Sequence, residues 1–154
     1  MSFINVRVYG ILWNEQKELL VTDEMIRGMH ITKFPGGGLE FGEGTRDCLK
    51  REFLEEIYLK VEVGEHLYTT DFYQQSAFNP SQQILSIYYL VKPLEPITSR
   101  ISTEPFQFDE MQLKQYEEIK ETESFRFIPW EELSEERVTL PIDKIVVKLL
   151  KEKY

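Results

Sequence analysis

One cysteine, Cys48, stands in 154 residues, so the chain holds no internal disulfide and no cysteine-based zinc site. The two histidines, His30 and His66, are too few for an imidazole metal centre. A metal bound here therefore meets oxygen ligands, which favours Mg²⁺ or Mn²⁺. No apolar run approaches the roughly 18 residues that span a bilayer, and the opening MSFINVRVYG lacks a basic stretch followed by an apolar core. A cytoplasmic protein is the expectation. Positive charge is scarce: 18 Lys and Arg face 27 Asp and Glu, for a net charge of −9. That balance argues against nonspecific binding to nucleic acid or to an anionic membrane. Repeats, low-complexity linkers and composition breaks are all missing, so residues 1–154 read as a single domain.

What is present is core material. A hydrophobic fraction of 42% and an aromatic fraction of 13% supply a folded domain. Residues 3–13 and 17–22 are rich in Ile, Val, Leu and aromatics around a polar Asn14-Glu15-Gln16-Lys17, which predicts a hairpin of two paired strands. Residues 23–31 read as a loop, 31–34 as a short strand and Leu39-Glu40-Phe41 as another. Gly42 and Gly44 then bracket Glu43 in a tight turn. Two further β-rich runs, about 61–74 and 83–92, form a second antiparallel pair around Asn79-Pro80-Ser81. Residues 93–122 carry the least pattern, with QLKQYEEIKET a candidate short helix. SFRFIPW reads as a strand and WEELSEE as a helical turn. Pro141 opens a last helix whose apolar positions include Ile145 and Leu149. Strands mixed with two or three helices make an α+β fold, with helices packed on a mixed sheet.

The densest chemistry lies between Pro35 and Leu59. Thr45 is a fitting N-cap for the helix that follows, with Asp47 in its first turn. Leu49, Phe53 and Ile57 recur at helical spacing. Setting Leu49 at zero and turning about 100° per residue, Phe53 and Ile57 fall near +40° and +80°. On the same wheel Glu56 falls near −20°, Glu52 near −60° and Glu55 near −120°. The three carboxylates thus share one arc beside the buried stripe. Crowded like charges repel, and a divalent cation relieves them. Arg51, one turn before Glu55, is placed to pair with it. The glycines let a phosphate or metal approach the backbone, and Glu43 reaches the same place from the loop. A Glu-rich helix alone is usually a solvated face and a lone glycine run a turn; spacing decides between the readings.

That spacing resembles the Nudix box, carried by Gly37, Glu43, Arg51, Glu52, Phe53, Glu55, Glu56 and the apolar Leu59. The late FRFIPWEEL looks like the Trp-containing strand and turn common in that family. The resemblance implies a Nudix-like α/β/α sandwich, a mixed sheet flanked by the box helix and a C-terminal helix. It also implies metal-dependent hydrolysis of a nucleoside diphosphate linked to another moiety, by water attack on phosphorus with Mg²⁺ or Mn²⁺. Carried over position by position, Glu52, Glu55, Glu56 and Gly37 are the metal ligands. Glu52, Glu55 and Arg51 are the catalytic group, with Glu52 or Glu55 as base in some arrangements and Arg51 as orienting partner. Gly37 and Gly38 line the loop toward substrate, while Glu43, Phe53 and Leu59 are structural. A further carboxylate outside the box is common, and Glu104, Glu118, Glu121 and Glu123 are all eligible.

Tyr58 departs from the pattern, standing where the box has its last glycine. A left-handed helix end there costs a non-glycine residue about 1–2 kcal/mol. That departure favours the alternative of a Nudix-like nucleotide-binding sensor without turnover, whereas the full carboxylate set favours the enzyme. Tyr73, Phe78, Phe106 and Phe108 are candidates to stack on a nucleobase, although such aromatics are more often core; Cys48 reads as a packed small residue. Proline or tyrosine at a set offset past the box marks some substrate classes, but the positions 15 to 18 residues beyond Leu59 are Gln74, Gln75, Ser76 and Ala77. The expected partner is a small nucleotide-derived diphosphate, with no nucleic acid and no membrane, and family habit allows a homodimer.

Overall fold

Eight strands, three α-helices and two short 3-10 turns, Trp130–Glu132 and Glu135–Arg137, account for the regular structure, and a computed structural model describes all of residues 1–154. The strands are β1 (Phe3–Leu12), β2 (Glu18–Ile26), β3 (Met29–Lys33), β4 (Gly36–Gly38), β5 (Val61–Thr69), β6 (Gln82–Pro93), β7 (Ile101–Ser102) and β8 (Glu121–Pro129). The helices are α1 (Thr45–Ile57), α2 (Glu110–Ile119) and α3 (Pro141–Lys153). No helix is long and apolar enough to cross a membrane. The chain divides into two units, one of Met1–Leu12 with Pro35–Thr98, the other of Trp13–Phe34 with Ser99–Tyr154.

The first unit is a four-stranded mixed sheet in the order β4-β1-β6-β5, with α1 against it. β1 runs parallel to β6 from Phe3↔Gln82 to Leu12↔Val91, and β5 returns antiparallel along β6 as the sequence predicts. The helix settles where β1 has Gly10: a β-carbon there would stand 2.5 Å from Val91 Cγ2 and 2.8 Å from Phe53 Cε1. Only glycine lets Phe53 come this close. Leu49, Phe53 and Ile57 are buried, each contributing about 1.5–3 kcal/mol by leaving water.

The second unit is also a mixed sheet, in the order β3-β2-β8-β7. β8 lies antiparallel to β2 over its whole length, and the short β7 runs parallel to β8. Ile142, Val146, Val147 and Leu150 of α3 are buried. Within β2, the fully buried Asp23 accepts from Arg126 Nε at 2.6 Å and from Thr32 Oγ1 at 2.6 Å, so the buried carboxylate is paired and hydrogen-bonded.

Several expectations are corrected. The α+β class with mixed sheets is present, but the strands form two sheets. Residues 3–13 and 17–22 do not form a paired hairpin: Asn14 and Glu18 close the turn and Trp13 bridges Leu19, after which β1 takes β6 and β4 as partners while β2 takes β3 and β8. Residues 23–31 are not a loop. β2 continues to Ile26 and a two-residue turn, Arg27 at φ 46° and Gly28 at φ 84°, leads into β3, the mirror-image turn that suits a twisted hairpin. The strand expected at 39–41 is instead the glycine run 36–38, because backbone alone satisfies the pairing with β1. Gly44, not Thr45, is the N-cap of α1, and Thr45 Oγ1 lies 2.7 Å from Tyr89 Oη. The buried stripe of α3 runs through Ile142, Val146 and Leu150 rather than Ile145 and Leu149.

Candidate active site around Arg51

Burial of the Leu49–Phe53–Ile57 stripe fixes how α1 is rotated, and that rotation decides where its polar residues lie. Glu52 ends up against the glycine strand. A β-carbon on Gly37 would stand 2.4 Å from Glu52 Cδ and 2.5 Å from each carboxylate oxygen. A side chain at residue 37 would require the Glu52 carboxylate to move away, so the peptide and the carboxylate share one small space.

Arg51 is the hub. Its Nε donates to Glu43 Oε2 at 3.0 Å and its Nη2 to Glu43 Oε1 at 2.7 Å, a two-pronged bond that ties the turn to the helix. Nη1 donates to Glu52 Oε1 at 3.0 Å and to Glu55 Oε2 at 3.2 Å, and Nη2 also reaches the Gly38 carbonyl at 3.1 Å. Glu40 lies 3.7 Å from Nη1, and its backbone N–H donates to Glu43 Oε1 at 2.9 Å. Hydrogen bonding from Arg51, then from the Glu40 backbone, lowers the Glu43 carboxyl to about 2. The same bond to Glu43, followed by that to Glu52, holds the Arg51 guanidinium charged far above its ordinary value. Burial pushes the Cys48 thiol up to about 12, with the nearby Glu43 adding to it. Cys48 is thus an uncharged packing residue, as its place beside the stripe predicts.

Glu43, Arg51, Glu52 and Glu55 are therefore brought together, and one guanidinium against three carboxylates leaves them net negative. Arg51 pairs with Glu55 as expected. Its stronger partnership with Glu43 goes beyond the sequence reading, where the signal is an isolated Glu in a glycine-bracketed turn upstream of an Arg. No three carboxylate, imidazole or thiol groups converge as a ready-made metal site. Glu52 and Glu55 both accept from Arg51 Nη1. Glu56 is half-buried and Glu55 is exposed. Leu59 is fully buried.

Tyr58 adopts φ 54° and ψ 39°, the left-handed conformation, with its ring exposed and its N–H turned to the Phe53 carbonyl. The helix end has the shape a glycine would give it. Among the stacking candidates, Tyr73 is 66% exposed and lies in the loop after β5, and Phe78 is also exposed. Phe106 is used within its own unit: its N–H donates to Asp23 Oδ2 at 3.3 Å, and its ring packs edge-on against His30 and Phe108. Of the four carboxylates eligible outside the box, Glu104, Glu118 and Glu121 are exposed, and Glu123 stands opposite Glu24 within the second sheet.

The family model of the NUDIX domain matches residues 4–149. The chain belongs to the Nudix family. No curated protein matches the sequence. Solved Nudix structures share the fold at low identity. A MutT NUDIX hydrolase from Burkholderia pseudomallei has 14% identity and a TM-score of 0.69, over 97% of this chain and 99% of that one. A NUDIX hydrolase from Nitrosomonas europaea has 16% identity and a TM-score of 0.68, over 97% and 90%. An ADP-ribose pyrophosphatase from Streptococcus suis has 15% identity and a TM-score of 0.57, over 97% and 92%. The Nudix match runs through the glycine strand, the Glu43 turn and α1, the elements that build the Arg51 network.

Proposed function

We propose that this Nudix chain hydrolyses the diphosphate bond of a nucleotide-derived substrate with the help of Mg²⁺ or Mn²⁺. The observation that carries this reading is the apposition of the Gly37 peptide and the Glu52 carboxylate, with Arg51 fixing Glu43, Glu52 and Glu55 around it. The donor set is all oxygen and carries surplus negative charge, and a cradle too small for a β-carbon sits at its centre. These features fit a hard divalent cation. Gly37, Glu52, Glu55 and Glu56 would hold it, and the chemistry it supplies is neutralisation of the diphosphate charge as the P–O bond breaks.

The chain's own residues do the rest. Arg51 engages Glu52 through Oε1 and Glu55 through Oε2, so Glu52 Oε2 and Glu55 Oε1 are the oxygens left to face a ligand or to take the proton of the attacking water. Glu43 keeps Arg51 in place and is itself held by the Glu40 N–H. Tyr58 is the residue that speaks for a non-catalytic module, yet its left-handed backbone leaves the helix turn bearing Glu55 and Glu56 regular, which supports the enzyme. We take residues 1–154 as one working domain, since the family match runs through both units. The test is a screen of nucleoside triphosphates, nucleotide sugars, ADP-ribose and dinucleoside polyphosphates with each metal, reading phosphate or nucleotide release. Turnover of at least one is expected. Tight binding of a candidate with no turnover of any would overturn the reading.

A further inference from the structure

Burial of the Leu49–Phe53–Ile57 stripe sets how α1 is turned about its axis, but apolar contact is non-directional and constrains sliding along that axis less. Glu52 has little room for such sliding, since its Cδ would lie 2.4 Å from a β-carbon at Gly37. Directional bonds are what fix a helix along its length. The N-cap Gly44 offers none from a side chain, so the two residues after it take that part.

Thr45 Oγ1 and Tyr89 Oη share a hydrogen bond of 2.7 Å. Tyr89 is buried on β6, paired with Gly10 of β1 on one side and His66 of β5 on the other. Paired residues share a sheet face, so Tyr89 points to the face where Phe53 packs over Gly10. Arg46 adds a second tie. Its Nη1 donates to the Val63 carbonyl at 2.9 Å and the Gly64 carbonyl at 2.8 Å, where β5 slips out of register with β6. Bulges of this kind often re-aim a side chain beside an active site. The Arg46 guanidinium also lies 4.7 Å from the centre of the Tyr89 ring, and the His66 ring meets that ring edge-on at 5.7 Å. A helix rises about 1.5 Å per residue, so Thr45 and Glu52 stand about 10 Å apart on one stiff rod. Displacement at the first is carried to the second. All of these residues, and the Arg51 network, belong to the first unit.

We propose that Tyr89 and Arg46 are positioning residues for Glu52: through the first turn of α1 they set where the carboxylate stands along the helix axis, and hence its fit to the Gly37 peptide. The inference rests on the hydrolase reading above, which puts the chemistry at Glu52, and it names residues that the box pattern leaves unspecified. The test uses the full chain, measured well below its Tm with whichever substrate is turned over. Tyr89→Phe and Thr45→Val each remove one end of the shared bond and keep the bulk of the side chain. Either should lower kcat about 10-fold with KM within about twofold, because a displaced carboxylate costs more in the transition state than in binding. The two losses should not multiply in the double variant, since both break one bond. Arg46→Ala should lower kcat as well, with part recovered in Arg46→Lys, and a wild-type rate in Arg46→Ala would overturn its share. In the metal-free chain the Gly37 amide signal should move in ¹H–¹⁵N spectra of both single variants, a change that a purely stabilising bond would not give. Unchanged kcat in both, losses that multiply, or a Gly37 signal that stays in place would each overturn the inference. If the wild type turns over nothing, the hydrolase reading fails, while the Gly37 signal still decides whether Tyr89 positions Glu52.

Discussion

Helices α1 and α2 both end on a non-glycine residue in the left-handed region, Tyr58 at φ 54° and Lys120 at φ 61°, yet they are held by opposite means. α1 has no side-chain N-cap and four buried residues, Cys48, Leu49, Phe53 and Ile57. α2 has a full capping box, in which Asp109 accepts from the Gln112 N–H and the Gln112 side chain accepts from the Asp109 N–H, and no buried residue at all. Burial orients a helix about its axis, whereas caps only fix where it starts. That difference supports placing the proposed chemistry on α1. Carboxylates beside a buried stripe have one orientation relative to the glycine strand, and those of α2 carry no such constraint.

The sharpest way to break the comparison is to remove the anchor. Phe53→Ala should cost about 3–5 kcal/mol, through lost burial and the cavity left against Gly10 and Val91. The matching change on α2, Leu113→Ala, should stay within about 0.5 kcal/mol because Leu113 is 48% exposed. Chemical denaturation of the two variants reads both numbers, and similar losses would show that α2 is anchored after all. Next in size is the chemistry itself. Glu56→Gln should lower the rate by about 100-fold or more, roughly 2.7 kcal/mol of barrier, with the Tm little changed. Glu110→Gln, in the first turn of α2, should leave the rate within about twofold. Near-normal activity of Glu56→Gln would mean that the site has been put on the wrong helix.

A smaller effect concerns the shared helix end. Tyr58→Gly should stabilise the fold by about 1 kcal/mol, since glycine adopts the left-handed region without the penalty a Cβ brings. The ring of Tyr58 is 73% exposed, so little packing is lost with it. A fall in Tm would show that the exposed ring contributes more than the strain costs.

The same contrast governs what the sequence reveals. α1 is legible because its apolar spacing and its box spacing agree, and both survive into the structure as the buried stripe and the Arg51 network. Residues 93–122 carry weak pattern for a physical reason: α2 has no fully buried residue, only the half-buried Gln112 and Tyr116, so it shows no apolar stripe like that of α1. Strand partners are the other blind spot. The alternation in 3–13 and 17–22 is a local property, while the choice of β6 for β1 and β8 for β2 depends on residues far along the chain. Gly36, Gly37 and Gly38 mislead in their own way, reading as a turn when their lack of side chains is what lets them serve as a strand against Glu52. The two-pronged bond from Arg51 to Glu43 escapes pattern reading because it joins a turn to a helix, and only the fold sets that distance.

The subtlest test asks whether the turn and α1 are coupled through that bond. Glu43 is held at about 2 against an ordinary value of 4.5, chiefly by Arg51. A carboxyl lowered on folding adds stability that is fully present above its ordinary value and is lost as pH falls toward the lowered one. Arg51 stays charged throughout, so it adds no slope of its own in this range. The wild-type Tm should accordingly fall more steeply between about pH 4.5 and pH 2 than that of Glu43→Gln, while the two curves run parallel from pH 5 to 7. Removing the titrating group removes its slope but not those of the other acids, so only the difference between the curves is diagnostic. Curves that stay parallel through the acid range would mean that Glu43 and Arg51 are not bonded in solution, and that burial of the stripe alone positions Glu52 against Gly37.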